Sequence, residues 1–169
     1  MLNTNVVLRP ATRDDWPAIA SLLELNQLPL DGAREQVSGY LLATRDGEIV
    51  GCAGAEVYGD AALLRSVAVA PGSRRQGVGK MLVRRLLQEA WRRQVSKFYL
   101  LTVTAPEYFA QFGFRHEPIE RAPQALKASA EFQGACPASA AFMSLTLASA
   151  PPAWGDPGQA NRSPLFDLT

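Results

Sequence analysis

The sequence predicts an α+β domain built on a mixed central sheet flanked by helices. Apolar runs of strand length at residues 40–44, 48–58 and 63–69 follow one another across the turn signals Asp46-Gly47 and Gly59-Asp60, which implies an antiparallel meander. A long amphipathic helix then separates residues 63–69 from a second strongly apolar run, residues 97–103 (KFYLLTV). A strand that returns through a helical crossover lies parallel to the first, so these two strands run parallel.

The elements follow in order. Residues 5–9 (NVVLR) form a first strand. Thr12 caps the next helix, with Asp14 and Asp15 in its first turn, where the helix dipole favours negative charge. Trp16, Ile19, Leu22 and Leu23 give that helix an apolar face. Residues 28–32 (LPLDG) are a break, and a short helix spans residues 33–39. After the meander, Pro71 and Gly72 stop the strand, and a helix begins near Gly77. Val78, Leu82, Val83, Leu86, Leu87 and Ala90 share one side of it, and Arg84, Arg85, Gln88, Glu89, Arg92 and Arg93 the other. Residues 104–114 (TAPEYFAQFGF) read as a short helix, a glycine stop and a new strand. Residues 121–141 are less regular, helical over 124–132 and ended by Cys136-Pro137, and residues 141–147 (AFMSLTL) make the last strand.

From residue 149 the composition shifts to proline and glycine, which denies the segment regular structure. The boundaries expected are therefore a domain at residues 1–148 and a tail at 149–169. Trp154, Leu165 and Phe166 of the tail are available to dock on the domain or on the second subunit of a homodimer.

Composition narrows the class of partner. Hydrophobic content of 47% and charged content of 20% are ordinary for a globular domain with a real core. The formal charge is only +1, and the arginines concentrate between Arg74 and Arg93. A local basic field suits a small anionic ligand better than a nucleic acid or a membrane surface. No apolar run approaches the roughly twenty residues of a membrane span. The N-terminal residues lack a basic region and an apolar core, so they do not read as a signal peptide, and the expected location is the cytoplasm. Two cysteines, Cys52 and Cys136, and a single histidine, His116, speak against a metal site. Reduced thiols are the expectation in that compartment, with a disulfide left open.

The chemistry concentrates where the strand at 63–69 meets the helix. Arg74-Arg75-Gln76-Gly77-Val78-Gly79-Lys80 places two glycines and bare N–H groups at a helix N-terminus. The first N–H groups of a helix have no partner within it, the dipole makes that end positive, and glycine lets a ligand approach the main chain. This is a phosphate cradle. It is not a P-loop, because Arg74 and Met81 stand where that motif needs glycine and a hydroxyl. It is not the dinucleotide fingerprint, because Leu82 replaces the third glycine.

The remaining pattern, Arg74-x-x-Gly77-x-Gly79 after a strand ending Val-Ala-Val-Ala-Pro, resembles the acetyl-coenzyme A motif of the GNAT acetyltransferase superfamily. Residues 104–114 resemble that superfamily's second signature, a short helix ending in Gly-Phe. The resemblance covers about residues 5–147. It implies a GNAT fold, with a splay between the two central parallel strands, and acetyl-coenzyme A as cosubstrate. Main-chain groups of Val67, Ala68 and Val69 would hold the pantetheine arm, and the Val67 N–H would face the thioester oxygen. The N–H groups of Gln76, Gly77, Val78, Gly79 and Lys80, with the charges of Arg74, Arg75 and Lys80, would take the diphosphate. The acceptor would be the primary amine of a small molecule.

The proton-transfer groups depart from the family pattern. Many members carry a tyrosine four residues before the glycine of the Gly-Phe signature; here that residue is Phe109. Tyr108 is adjacent, but one residue turns a helical side chain by roughly 100°. The strand glutamate used by some members is here Leu63. Glu56 on the preceding strand is the best remaining base, weighed evenly against a structural strand residue. Arg65 could bind a substrate carboxylate bidentately, or pair with Glu56, which would make both structural. His116 reads as a strand-end residue and Cys136 as a small buried hydrophobe.

The segments GAEVYGDAALLRSVAV, LLTVTAPEYFAQFGF and EFQGACPASAAFM resemble the arsenic-resistance-associated N-acetyltransferases more narrowly. Related enzymes acetylate an arsenic-containing glutamate mimic or phosphinothricin, but from a different branch. The absent tyrosine and strand glutamate keep a second reading open, a coenzyme A-binding sensor without catalysis.

Overall fold

The structure is a computed structural model and describes residues 5–147. The segment expected as a tail lies outside the described residues. A seven-stranded sheet runs in the order β1-β2-β3-β4-β5-β7-β6, with β1 Val6–Pro10, β2 Tyr40–Arg45, β3 Glu48–Tyr58, β4 Ala61–Val69, β5 Lys97–Thr102, β6 Arg115–His116 and β7 Ala141–Thr146. The β4–β5 pair is parallel and every other pair is antiparallel. The meander and the parallel crossover are therefore both present.

Among the described residues, three helices and a set of short turns cover the sheet: α1 Trp16–Leu25, α2 Val78–Arg92 and α3 Pro106–Ala110. The apolar side of α2 packs Leu82, Val83, Leu86 and Leu87 against Leu41, Ala53, Ala55, Ala62, Leu64 and Phe98, all buried in one cluster. Burial of that stripe is what holds a helix of this length, since propensity alone would leave it marginal. On the opposite face α1 packs Ile19, Leu22 and Leu23 against Tyr40, Leu42, Cys52 and Ala68. A third cluster joins Leu63, Tyr99 and Phe142 to Ala122 and Leu126 of the irregular segment before β7.

Local departures from the sequence reading have local causes. A 3₁₀ turn, Arg13–Asp15, precedes α1, because the Asp15 carboxylate accepts from the Thr12 N–H at 2.8 Å and from both Arg9 Nη atoms at 2.8 Å. The short helix expected at 33–39 is only the 3₁₀ turn Val37–Gly39. The helix expected at 124–132 is the 3₁₀ turn Gln124–Ala128 followed by a kinked turn, Glu131–Ala135, in which Gly134 has φ 105°. Among the described residues no helix is long and apolar enough to cross a membrane.

Candidate active site

The cradle forms as the residues dictate. A 3₁₀ turn, Pro71–Ser73, leads from β4 into α2. Arg75 and Gly77 take left-handed φ values of 63° and 80°, and Gly77 is the N-cap of α2. The Met81 N–H is the first to turn back, to the Gly77 carbonyl at 3.0 Å. Among the described residues no protein acceptor meets the N–H groups of Gln76, Gly77, Val78, Gly79 or Lys80. These donors lie at or just before the positive end of a fifteen-residue helix.

Side chains brace that loop. Arg45 donates from Nη1 to Ser73 Oγ at 3.1 Å and from Nη2 to Gln76 Oε1 at 2.7 Å. Arg74 donates from Nη2 to Asn26 Oδ1 at 2.9 Å, tying the loop to the end of α1. A Cβ at Gly79 would lie 2.7 Å from Tyr108 Oη, so any larger residue there must displace that hydroxyl.

The parallel strands part beside the cradle. Their pairing runs from Ala61–Lys97 to Leu64–Leu100 and stops, although β4 continues to Val69. Against β3, Cys52 pairs with Ala68 and Gly54 with Arg65, so Ser66 and Val67 together oppose Ala53. This is a β-bulge, with Ser66 at φ 58°. Ser66 Oγ is held by the Tyr40 hydroxyl at 2.6 Å, and the Ser66 carbonyl accepts from Cys52 Sγ at 3.3 Å. The bulge sharpens the twist of β4 at the point where β5 leaves it.

The opening is a cleft of about 1120 Å³. Val67, Val69, Arg74, Arg75, Gly77, Val78, Gly79 and Lys80 line it, with Tyr108 on the α3 side. Ala68 turns its side chain into the core beneath α1, and the Gln76 side chain is taken by Arg45.

The inner end of the cleft holds a charged cluster. Arg65 is 4% exposed. It donates from Nη1 to Glu56 Oε2 at 2.9 Å, from Nη2 to the Asp31 carbonyl at 2.8 Å, and from Nε to Ser66 Oγ at 3.3 Å. Its Nη2 also pairs with Glu131 Oε1 at 3.2 Å. Glu56 in turn accepts from the Tyr58 hydroxyl and from Ser129 Oγ, the latter at 3.1 Å. Arg65 and Glu131 line the cleft, whereas Glu56 is buried behind Arg65. Cys136, also on the cleft wall, donates from Sγ to Glu131 Oε2 at 2.6 Å. Burial and that bond push the Cys136 thiol up to about 12, so it is protonated at neutral pH. Cys52 and Cys136 are both free thiols.

The other candidates fall as follows. Phe109 is buried and packs edge-on against Phe114. Leu63 lies in the core with Tyr99 and Phe142. Tyr108 reaches the cradle rather than the charged cluster, and burial raises its pKa above the ordinary phenol value. His116 is exposed on the edge strand β6. Sequence reasoning missed Glu131 altogether. The signal available was an acidic residue in an otherwise small and apolar stretch, Ala128–Ser129–Ala130–Glu131–Phe132.

A mixed sheet opened between its two parallel strands, with a loop of unaccepted N–H groups lining the opening, is the GNAT fold. Residues 6–114 match the acetyltransferase (GNAT) family, and the chain belongs to that family. Among curated relatives, an amino-acid acetyltransferase of Mycobacterium tuberculosis is 34% identical over 118 residues, covering 64% of this chain and 67% of the relative. One of Actinobacillus pleuropneumoniae is 30% identical over 116 residues, 63% of this chain and 26% of the relative. This chain thus spans about a quarter of the length of several of the relatives it matches. Among solved structures, the Mycobacterium tuberculosis protein Rv2747 in complex with CoA and NLQ superposes with a TM-score of 0.71 at 26% identity, over 84% of this chain and 99% of that one. The N-acetylglutamate synthase of Neisseria gonorrhoeae, complexed with coenzyme A and N-acetyl-glutamate, gives 0.74 at 22% identity, over 86% of this chain and 36% of that one. This second likeness concerns the fold.

Proposed function

We propose that the protein is an N-acetyltransferase that uses acetyl-coenzyme A to acetylate the primary amine of a small molecule, an amino acid in class. One observation carries the reading: unaccepted N–H groups from Gln76 to Lys80 open into the same cleft as the unpaired half of β4. The names of the relatives, amino-acid acetyltransferases, support the acceptor class. The resemblance to arsenic-resistance-associated enzymes adds arsenic- and phosphorus-containing glutamate mimics to the acceptors worth testing. The reading places the enzyme in the cytoplasm, where its thiols stay reduced.

The residues present fit the cosubstrate. The cradle, with Arg74, Arg75 and Lys80 around it, would hold the diphosphate. Backbone groups of Val67, Ala68 and Val69 on the splayed strand would hold the pantetheine arm. The acceptor attacks the thioester carbon as the free amine, having given its ammonium proton to solvent. A C–N bond forms, and the C–S bond breaks with its electron pair on sulfur. The proton left on nitrogen passes through water to the departing thiolate. A Val67 N–H facing the developing oxyanion lowers that barrier; one such donor is worth about 3 kcal/mol elsewhere. The thiolate needs little acid assistance, because a thiol's pKa is only about 8.5.

Thiol release from acetyl-coenzyme A across a panel of amino acids and simple amines tests this. Acceptor-dependent release is expected. A second reading, a coenzyme A-binding module without catalysis, draws on Phe109 standing where many members carry a tyrosine and Leu63 where some carry a glutamate. Stabilisation by coenzyme A with no release from any amine would favour it.

A further inference from the structure

We infer that Glu131 is the acceptor-side anchor, holding the substrate's ammonium group at the inner end of the cleft. The inference rests on the acetyltransferase reading and names the charge class of its acceptor. Its basis is the charge balance of the buried cluster. Arg65 carries one positive charge and faces two carboxylates, Glu56 at 2.9 Å and Glu131 at 3.2 Å. The cluster therefore retains a net negative charge when all three are ionised.

The two carboxylates are not equivalent. Glu56 is enclosed, with its oxygens taken by Arg65, Tyr58 and Ser129. Among the described residues, Glu131 shares Arg65, and its Oε2 accepts from the neutral Cys136 thiol of its own segment. Both are buried, Glu56 2% and Glu131 6% exposed, but only Glu131 of the two lines the cleft. A carboxylate has about four lone-pair directions, and Arg65 and Cys136 take two of those of Glu131, which leaves it acceptor capacity. A thiol is a weak donor, and an ammonium group that arrives there exchanges it for a charge-assisted bond. Arg65, by contrast, has its Nε and both Nη atoms committed to Ser66, Glu56, Glu131 and the Asp31 carbonyl. The inner cleft is thus arranged to receive a cation. Arg74, Arg75 and Lys80 line the same cleft at the cradle. An acceptor held this way enters amine first, into the part of the cleft that Arg65 and Glu131 line.

The test is binding of two probe pairs to the coenzyme A complex by calorimetry: L-glutamate against glutarate, and n-propylamine against n-propanol. Each pair differs in its ammonium group. The wild-type complex is expected to prefer the ammonium member of at least one pair by about tenfold or more, the scale of a hydrogen bond to a charged group. Glu131→Gln should erase that preference, and Glu131→Asp should restore part of it. Coenzyme A-induced thermal stabilisation, measured on every variant, shows that the fold and cradle are intact. A preference that survives in a stabilised Glu131→Gln overturns the assignment, as does no ammonium preference in a wild-type complex that coenzyme A stabilises. Absence of coenzyme A stabilisation in the wild type instead overturns the acetyltransferase reading itself.

Discussion

Arg65 and Glu56 meet at 2.9 Å with side chains 1% and 2% exposed, one strand apart and sealed by Tyr58 and Ser129. A buried pair of this kind contributes little net stability against an apolar substitute, but loss of one partner strands the other. Glu56→Gln is expected to lower unfolding free energy by about 3 kcal/mol or more, measured by urea denaturation. Its pH–rate profile should keep the wild-type acid limb. Loss of that limb with stability intact would make Glu56 the base.

Tyr108 and Gly79 are coupled through one contact, the 2.7 Å between the hydroxyl and the site of a Cβ. Gly79→Ala should weaken coenzyme A binding, because the methyl group pushes Tyr108 or the loop aside. In a Tyr108→Phe background the same alanine should cost less, a non-additive cycle of the kind expected for touching residues. Tyr108→Phe alone should raise the KM for acetyl-coenzyme A more than it lowers kcat.

Cys136 reports on its neighbour. Its thiol is held up at about 12 by burial and by the bond to Glu131. Replacing Glu131 with Gln removes the carboxylate that favours the neutral thiol, so the pKa should fall. Iodoacetamide alkylation of Cys136 should then rise at lower pH than in the wild type. An unchanged pH profile would mean that the Sγ–Oε2 bond does not form in solution. Buried Cys52 serves as the unreactive internal control.

Asp15 makes stability depend on acid. Its carboxylate is held well below the usual range, first by the bonds from Arg9, then by those from Thr12. An unfolded aspartate titrates near 3.9. The folded pKa lies lower, so its contribution is full above about pH 4 and is lost as pH falls through the folded value. Asp15→Asn should therefore be less stable than wild type at pH 7, and the gap should shrink under acid conditions. Denaturation at pH 7 and pH 2.5 measures both arms.

The cradle and the sheet were legible because short-range signals specify them. A strand, a proline stop, a glycine pair and an amphipathic helix lie within thirty consecutive residues, and each points to the same structure. The inner cleft was legible only in part. The Arg65–Glu56 pairing was open to sequence reasoning because adjacent antiparallel strands bring the two together. Glu131 joins them from an irregular segment more than sixty residues away, and no periodicity encodes that return. The bulge at Ser66 was also hidden. A left-handed φ is usually announced by glycine or asparagine, and here it falls on a serine fixed by Tyr40. Tyr108 was legible as a neighbour of the missing tyrosine position but not as a residue that reaches the cradle, because its reach depends on how α3 leans on Gly79.

Thermal unfolding with coenzyme A and with pantetheine, on wild type and Gly79→Glu, measures most directly whether the amides from Gln76 to Lys80 grip a diphosphate. Coenzyme A at a hundred times its Kd should stabilise the wild type by about 2.7 kcal/mol. Pantetheine, which lacks the diphosphate, should do far less at the same concentration, and Gly79→Glu should lose the coenzyme A shift. Equal stabilisation by both ligands, or a full shift in Gly79→Glu, would contradict the account.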